Sequence, residues 1–293
     1  MNLEKLNVGK IIENVDLSNY TTYKLKSIGK ALIIPDNIDC LTKLILYIKE
    51  NNLKFKVLGN GSNLIFVNPF YDGILIKLDK LNNLNIDGNV ITVGAGYNLM
   101  KLAIKASMLG LSGMEFATGI PASIGGAIYM NAGAYNSSIS DILVSVKVLD
   151  DKFNIIELSN EEIDFGYRKS LFQNNKYVIL EAKFKLEYGN KDEIMDVVNK
   201  RRERRLASQP LEYPSAGSVF RNPTNDYAGR LIEEVGYKGY VNGGAMVSNK
   251  HANFIINIGD ATGFDIKKLI NDIKDKVYKE YNIELKVEQE FVE

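Results

Sequence analysis

The chain has 293 residues, of which 45% are apolar and 25% charged, so it can bury a large core in about two domains or one long mixed domain. Its 36 basic and 36 acidic residues cancel in formal charge, which disfavours a nucleic-acid partner because such proteins carry a basic excess. With one cysteine, no secretion signal and no apolar run near the ~18 residues that span a bilayer, we expect a cytoplasmic protein without membrane contact.

The first part of the chain alternates between helical and strand patterns. Apolar residues recur at helical spacing at Leu41, Leu44, Ile45 and Ile48, which predicts a helix with Asp39 as its N-cap. Strands are predicted over 55–58, 74–78 and 90–93. A second helix is predicted over 99–106 and is expected to stop at Gly110, because glycine tolerates a positive φ at a helix C-terminus.

Residues 112–137 are dense in Gly, Ala, Ser and Asn, with large apolar residues interspersed. This mixture favours a packed loop with close backbone approach over a flexible linker. Alternating valines then predict a hairpin over 144–156. A strand is predicted over 177–186 and a charged helix over 191–206.

The pattern restarts after Gln209 with a segment marked by Pro and Gly. It predicts a short helix over 226–235, strands within 244–258, and a long helix with an apolar face from Ile266 to Val277. A strand-like run follows over 283–288. The sequence shows no repeat of fixed period, and the predicted fold class is α+β in two lobes.

Two glycine-rich segments are candidates for phosphate binding. The first, 59–64, follows a predicted strand, and its glycines let backbone N–H groups approach an anion. Leu64 stands where the dinucleotide fingerprint requires a third glycine, so a bare turn fits this segment equally well. The second runs over 119–127. Taken together, the two segments favour an extended ligand with a diphosphate over two structural loops.

Ser218 and Arg168 are candidates for chemistry. The flanks of Ser218 lack the Gly-x-Ser-x-Gly elbow and the chain has a single histidine, His251, so a serine hydrolase is disfavoured. A turn serine that satisfies backbone groups is the competing interpretation. Arg168, beside Tyr167, has the geometry to bind a carboxylate or phosphate, although an exposed turn arginine is more common.

The remaining polar clusters favour structural roles. Five cations within 200–205 have acidic partners upstream at helical spacing, which favours a solvated helix face over a polyanion site. His251 is expected to make structural hydrogen bonds. One histidine and one cysteine without clustered ligand spacing predict no metal site.

Several segments, taken in order, resemble the UDP-N-acetylenolpyruvoylglucosamine reductases over nearly the whole chain. The resemblance is carried by residues 57–65, 119–135, 165–168, 209–210, 217–223 and 251–254. It implies an FAD-binding fold of the vanillyl-alcohol oxidase type, made of two α+β subdomains, plus a smaller α+β substrate-binding domain. The implied bounds are 1–205 for the FAD-binding domain (subdomains about 1–78 and 79–205), 206–283 for the substrate-binding domain, and 284–293 for a C-terminal strand that returns to the FAD-binding part.

The same resemblance implies the cofactors and the reaction. FAD is the bound cofactor, and NADPH is the hydride-donating co-substrate. The reaction reduces the enolpyruvyl ether of UDP-N-acetylglucosamine to UDP-N-acetylmuramate for peptidoglycan synthesis. The implied FAD-contacting residues are Gly59, Asn60, Gly61, Ser62, Asn63, Leu64, Thr118, Gly119, Ile120, Pro121, Ser123, Gly125, Gly126, Ala127, Asn131 and Gly133.

The resemblance also implies the residues that act on substrate. Ser218 is the expected proton donor, and Arg168 is expected to hold the substrate carboxylate and offset developing charge. Glu288 is the expected third catalytic residue, and Tyr167 and Asn222 are expected to contact substrate.

Departures from the family pattern leave some points open. Val287 and Glu290 stand where the family usually has proline and arginine, so Glu290 remains an alternative to Glu288. No insertion between Lys169 and Tyr177 carries a substrate-covering tyrosine, which indicates the shorter type of family member. Ala216 stands where many similar sequences have cysteine, which should not affect the chemistry.

Two other functions fit the implied fold. One is an FAD-dependent oxidase of a sugar or alcohol that uses oxygen as acceptor, which the Ser218 and Arg168 motifs argue against. The other is a non-enzymatic flavin sensor, which has no need of Ser218, Arg168 and Glu288 together. A monomer fits the sequence as well as an oligomer does.

Overall fold

The computed structural model describes residues 3–293. Met1 and Asn2, where the predicted FAD-binding domain begins, lie outside the described residues. The α-helices are α1 (Ile38–Glu50), α2 (Leu99–Met108), α3 (Ile124–Tyr129), α4 (Lys191–Ser208), α5 (Ala228–Glu234) and α6 (Gly263–Tyr281). Short 3-10 helices cover Leu3–Leu6, Leu17–Asn19, Glu115–Gly119, Ile139–Asp141, Glu161–Ile163 and Leu171–Gln173.

Strands occur throughout the described chain. They are β1 (Gly9–Asp16), β2 (Ile28–Pro35), β3 (Phe55–Val57), β4 (Leu64–Phe66), β5 (Phe70–Ile76), β6 (Leu84–Asp87), β7 (Val90–Gly94), β8 (Leu111–Ser112), β9 (Gly133–Ala134), β10 (Ser137–Ser138), β11 (Leu143–Leu149), β12 (Ile155–Ser159), β13 (Val178–Lys185), β14 (Glu187–Tyr188), β15 (Val241–Asn242), β16 (Ala245–Val247), β17 (Ile255–Asn257) and β18 (Glu290–Val292). The α+β fold class is confirmed.

The chain divides into two compact units, each built from separate stretches of sequence. Unit 1 comprises the residues up to Glu13, Ala31–Asn60 and Gly73–Arg204. Unit 2 comprises Asn14–Lys30, Gly61–Asp72 and Arg205–Glu293. The first glycine-rich segment therefore contributes Gly59 and Asn60 to unit 1, and its remaining residues to unit 2.

Unit 1 is organised around an antiparallel sheet of order β12-β11-β13-β7-β6. The β11–β12 pair confirms the hairpin predicted from alternating valines. In the same unit β3 pairs in parallel with β5, with Phe55 opposite Ile74. The segment 112–137 is packed as predicted: it holds helix α3, whose Ile124 and Ile128 are fully buried.

Unit 2 packs helices α5 and α6 with the small sheet of order β15-β16-β17. Helix α6 begins with a capping box, in which the Thr262 hydroxyl accepts from the Asp265 N–H and the Asp265 carboxylate accepts from the Thr262 N–H. Its predicted apolar face, from Ile266 to Val277, is fully buried. The C-terminal strand β18 pairs in parallel with β4, with Glu290 opposite Leu64.

Two local predictions are wrong. Asn37, not Asp39, caps α1: the Asn37 side chain accepts a hydrogen bond from the Cys40 N–H at 2.9 Å. Among residues 3–293, the run 283–288 forms no strand and makes one isolated bridge, between Val287 and Phe220. Alternation alone could not reveal this, because the partner of this run is a loop.

Candidate functional site

Part of the first glycine-rich segment meets the second inside unit 1. A Cβ atom added at Gly59 would lie 2.7 Å from Ser123 Oγ, so a side chain at this position would have to displace Ser123. Asn60 Nδ2 donates to the carbonyl oxygen of Pro121 at 3.2 Å. The two segments that sequence analysis pairs as a diphosphate site are therefore in direct contact.

The start of helix α3 offers few amides to an anion. The N–H groups of Ile124 and Gly125 donate to the carbonyls of Tyr97 and Ala95, at 2.9 and 2.8 Å. The N–H of Gly126 donates to Ser123 Oγ at 3.2 Å. These amides are occupied within the protein, which fixes the first turn of α3.

The first glycine-rich segment has backbone N–H groups that are available to a ligand. Within residues 3–293 we find no hydrogen bond donated by the backbone N–H groups of 59–62. In unit 2, the N–H of Thr22 donates to the Gly61 carbonyl at 3.2 Å, and Thr22 Oγ1 is buried with no partner among the described residues. Backbone N–H groups beside glycines that lack a partner within the protein are able to donate to a phosphate.

Arg168 lies in a turn of unit 1 and is held by backbone carbonyls. Its Nη2 donates to the Gly133 carbonyl at 2.5 Å and its Nη1 to the Asn131 carbonyl at 3.4 Å. Its guanidinium carbon lies 5.1 Å from the ring centroid of Tyr167, whose side chain is exposed. Tyr167 and Arg168, which are both predicted to contact substrate, are thus adjacent. The carbonyls of Asn131 and Gly133 orient the Arg168 guanidinium.

The Asn131 side chain connects the segment around Asn131 and Gly133 to the turn that contains Arg168. It is buried and accepts from the Ser140 N–H at 3.0 Å through Oδ1. Its Nδ2 donates to the Gly166 carbonyl at 3.0 Å. Gln173 Nε2 supports the same turn by donating to the Arg168 carbonyl at 3.1 Å. The Asn131 side chain therefore acts on the position of Arg168.

Ser218 lies half-buried in unit 2, in a segment held from one side by Asn253. Asn253 accepts from the Val219 N–H through its backbone carbonyl at 2.9 Å. Its buried side chain accepts from the Phe220 N–H at 2.9 Å and donates to the Phe220 carbonyl at 2.8 Å. Three hydrogen bonds from one residue fix the chain immediately after Ser218.

The C-terminal segment 286–290 holds the other side. The Arg221 N–H donates to the Lys286 carbonyl at 2.9 Å, and the Glu288 N–H donates to the Val219 carbonyl at 2.8 Å. This register places Glu288 opposite Val219, one residue from Ser218. Asn63 Nδ2 donates to the Glu288 carbonyl at 3.1 Å, so the same segment is also held from its far side.

Glu290 has a different environment from Glu288. It lies in strand β18, and its N–H donates to the Asn63 carbonyl at 2.9 Å. Burial and then the Glu290 charge raise the pKa of Tyr71 to about 12, so the Glu290 carboxylate acts on Tyr71. Of the two glutamates, Glu288 is the one bonded through its backbone to the Ser218 segment.

Two further predicted residues, Asn222 and Thr118, bond to nearby backbone groups. Asn222 is exposed, and its Oδ1 accepts from the Ala228 N–H at 3.1 Å, at the start of α5. In unit 1, Thr118 Oγ1 donates to the Glu115 carbonyl at 2.9 Å.

The basic run 200–205 of α4 was expected to be a solvated helix face. One of its cations has an aromatic partner instead, because the Arg201 guanidinium stacks 4.6 Å from the ring centroid of Tyr135.

His251 bonds its own turn. Its Nδ1 accepts from the Asn253 N–H at 3.2 Å, and its ring packs edge-on against Phe254 at 4.9 Å. Burial, together with the charge of Lys238, lowers its pKa, although a backbone hydrogen bond partly opposes this. The neutral ring therefore supports Asn253, which in turn holds the Ser218 segment.

Sequence motifs miss several residues of these networks. Lys77 is buried, and its Nζ donates to the Gly59 carbonyl at 3.1 Å beside Asp79 at 3.2 Å. Asn253 lies in the family motif 251–254. Thr22 and Gln289 are the others. No periodicity marks them, since each acts on a segment far away along the chain.

Membrane and metal features give no further site. No helix within residues 3–293 combines the length and apolarity that a bilayer crossing demands. Over that same range, we find no cluster of three His, Cys, Asp or Glu side chains placed to bind a metal ion.

Two family models match the chain. One, described as "FAD binding domain", matches residues 29–159. The other, described as "UDP-N-acetylenolpyruvoylglucosamine reductase, C-terminal domain", matches residues 209–292, the stretch that holds Ser218 and Glu288.

Curated relatives match over nearly their full lengths. The UDP-N-acetylenolpyruvoylglucosamine reductase of Halalkalibacterium halodurans is 44% identical over 291 residues, covering 99% of this chain and 97% of the relative. That of Bacillus subtilis is 41% identical over 292 residues, covering 99% and 96%.

Solved structures show the same likeness. The UDP-N-acetylenolpyruvylglucosamine reductase of Thermus caldophilus superposes with a TM-score of 0.82 at 32% identity, covering 97% of this chain and 98% of that one. The BBE-like 1 protein of Physcomitrella patens, 12% identical with a TM-score of 0.50 over 64% of this chain and 43% of its own, is alike in fold alone.

We predict that His251 makes stability pH-dependent below its ordinary pKa of 6.5. Since its folded-state pKa is lowered, the unfolded chain binds a proton first as pH falls, and the free energy of unfolding decreases through and below pH 6.5. His251→Asn keeps a short acceptor and should flatten this slope. Urea unfolding of both proteins between about pH 5 and 7.5 measures it; an equal slope in the two proteins contradicts the assignment.

Proposed function

Because this chain belongs to the family of UDP-N-acetylenolpyruvoylglucosamine reductases, we propose how its own residues carry out that reaction. The chain is an FAD-dependent oxidoreductase that reduces the enolpyruvyl ether of UDP-N-acetylglucosamine in peptidoglycan precursor synthesis, and its fold is the FAD-binding fold of the vanillyl-alcohol oxidase type. One observation carries the residue assignments: the backbone register that sets Glu288 beside the Ser218 segment.

The two glycine-rich segments fit the FAD diphosphate. A side chain at Gly59 would have to displace Ser123, and the amides of 59–62 are available to phosphate oxygens. Lys77 Nζ donates to the Gly59 carbonyl. Because the C=O and N–H of a trans peptide point in opposite directions, the N–H of Asn60 points away from Lys77. Bound FAD supplies the hydride relay between NADPH and the enolpyruvyl group.

Several predicted cofactor residues would act through their backbones. The side chains of Asn60, Asn63 and Thr118 each donate to a carbonyl of the protein, so they hold the loops in shape. This arrangement suits diphosphate binding by rigid peptide N–H groups, which needs little reorganisation when the cofactor arrives.

Ser218 is the proposed proton donor. Reduction of the enol ether at its terminal carbon leaves negative charge on the carbon next to the carboxylate, and this carbon is basic enough to take a proton from an alcohol. The Asn253 and C-terminal hydrogen bonds hold the Ser218 backbone on both sides. A donor fixed in this way needs no reorientation at the moment of transfer.

Arg168 and Glu288 are proposed to stabilise the charge and the donor. The Arg168 guanidinium, oriented by the Asn131 and Gly133 carbonyls, would bind the substrate carboxylate, and loss of such a contact typically costs ~10²–10³ in rate. Glu288 would act with Ser218 in the proton transfer. Tyr167 and Asn222 are proposed to contact the sugar nucleotide.

We further propose that the protein works in the cytoplasm without a nucleic-acid partner. The zero formal net charge supports this. We propose a monomer, because the sequence of one chain contains every residue assigned to the chemistry.

The function is tested by a two-stage anaerobic titration of the purified chain. We expect a yellow protein whose flavin absorbance NADPH bleaches and the enolpyruvyl sugar nucleotide then restores. A colourless protein that cannot take up FAD would refute the function. Rapid reoxidation by air without the enolpyruvyl compound would favour an oxidase instead.

Ser218→Ala should separate the two stages. Bleaching by NADPH is expected at the wild-type rate, because the hydroxyl takes no part in it. Reoxidation by substrate should slow by ~10²–10⁴, the usual contribution of a general acid. Stopped-flow absorbance measures both rates, and equal loss in the two stages rules out the assigned role.

Glu288→Gln and Glu290→Gln form a matched pair that tests which of the two glutamates is catalytic. Each change removes one charge and keeps the side-chain volume. We expect Glu288→Gln to slow reoxidation by substrate by ~10² or more and Glu290→Gln to stay near the wild-type rate. The reverse order would move the catalytic role to Glu290.

A further inference from the structure

Gln289 extends its amide side chain into the turn that contains Ser218. Its Nε2 lies 3.1 Å from the carbonyl oxygen of Ala216, 3.2 Å from that of Gly217 and 3.4 Å from that of Ser218. An amide NH₂ carries two hydrogens, so three carbonyls reach one nitrogen only because the turn curves around it. Gly217 permits this curvature, with φ +75°.

Tyr23 determines which way this amide points. The Tyr23 side chain is fully buried, and its hydroxyl donates to Gln289 Oε1 at 3.0 Å. Because Oε1 accepts this bond, Nε2 faces the turn. Burial raises the pKa of Tyr23 well above its ordinary value, so the hydroxyl remains a donor at neutral pH. Asn257 Nδ2 holds the Tyr23 backbone carbonyl at 3.0 Å.

The main chain of Gln289 is fixed independently of its side chain. On one side, the Glu288 N–H donates to the Val219 carbonyl at 2.8 Å. On the other, the Glu290 N–H donates to the Asn63 carbonyl at 2.9 Å. Gln289 therefore belongs to the C-terminal segment through its backbone and to the Ser218 turn through its side chain.

We propose that Gln289 is the positioning residue for Ser218: its amide, oriented by Tyr23, maintains the curvature of the 216–218 turn and sets Ser218 relative to Glu288. The inference rests on the proposed role of Ser218 as proton donor. Gln289 acts through the turn and not on the substrate.

Loss of the amide should affect one step more than the others. Without it, the three carbonyls and the Tyr23 hydroxyl lose a common partner where Gln289 is only 4% exposed, and such a cluster relaxes to find new partners. A displacement of ~1 Å at a reacting group can cost about 10² in rate. The step that uses Ser218 is therefore the one expected to slow.

Three variants test this proposal by stopped-flow measurement of both half-reactions. Gln289→Met keeps the length and burial of the side chain but removes its polar atoms, and should slow reoxidation by substrate about 10- to 100-fold with NADPH bleaching unchanged. Tyr23→Phe should slow the same step by a smaller factor. Tyr281→Phe is the matched control: its hydroxyl donates to Glu234 at 2.7 Å, and both rates should stay at wild type.

A pH profile distinguishes positioning from general stabilisation. In Gln289→Glu the introduced carboxyl faces three carbonyl oxygens, which raises its pKa, and only the protonated form can donate to them. Reoxidation by substrate in this variant should therefore slow as pH rises, in a titration absent from wild type. NADPH bleaching should lack this new pH dependence.

The outcomes separate the two proposals. Equal slowing of both half-reactions in folded Gln289→Met, or wild-type reoxidation rates in both Gln289→Met and Tyr23→Phe, overturns the positioning role. If the wild-type protein itself is not reoxidised by substrate, the proposed function fails instead. If Gln289→Met does not fold, the ratio of the two rates in Tyr23→Phe decides, because that variant loses a single hydroxyl.

Discussion

The backbone hydrogen bonds of the segment 286–290 are the constraint on which the proposed roles of Ser218 and Glu288 depend. Its backbone bonds the Ser218 segment on one side and Asn63 of the first glycine-rich segment on the other. Because main-chain hydrogen bonds on both sides fix a register, Glu288 cannot shift by one residue without breaking both sets. A short irregular segment thereby holds two motifs, 217–223 and 61–64, that lie about 150 residues apart in the sequence.

A similar arrangement occurs in unit 1, where polar side chains hold the backbone of segments that are proposed to bind the ligands. Asn60 ties Gly59 to the second glycine-rich segment, and Asn131 ties the Arg168 turn to the chain that orients its guanidinium. Polar groups fixed in advance stabilise charge at little reorganisation cost. Mutation of these supporting amides should therefore impair chemistry even though none of them needs to touch the reacting atoms.

Sequence patterns predict the features that repeat locally and miss those that depend on distant partners. The apolar face of α6, from Ile266 to Val277, and the hairpin over 144–156 are confirmed, because periodicity is a local property. The run 283–288 is wrongly predicted as a strand because its partner is a loop, and the terminal strand β18 begins only at Glu290, where it pairs with β4 far upstream. Tyr23 and Gln289, 266 residues apart, could be found only from the fold. The family motifs nominate Ser218 and Glu288, and the register alone shows that they are neighbours.

A double-mutant cycle of Ser218→Ala and Glu288→Gln on the rate of flavin reoxidation by substrate tests the central claim most directly. If the C-terminal segment joins these two residues in one proton transfer, we predict that the double variant is hardly slower than Ser218→Ala alone, because residues that act as a unit are strongly non-additive. Losses that multiply, as they do for independent sites, would contradict the claim.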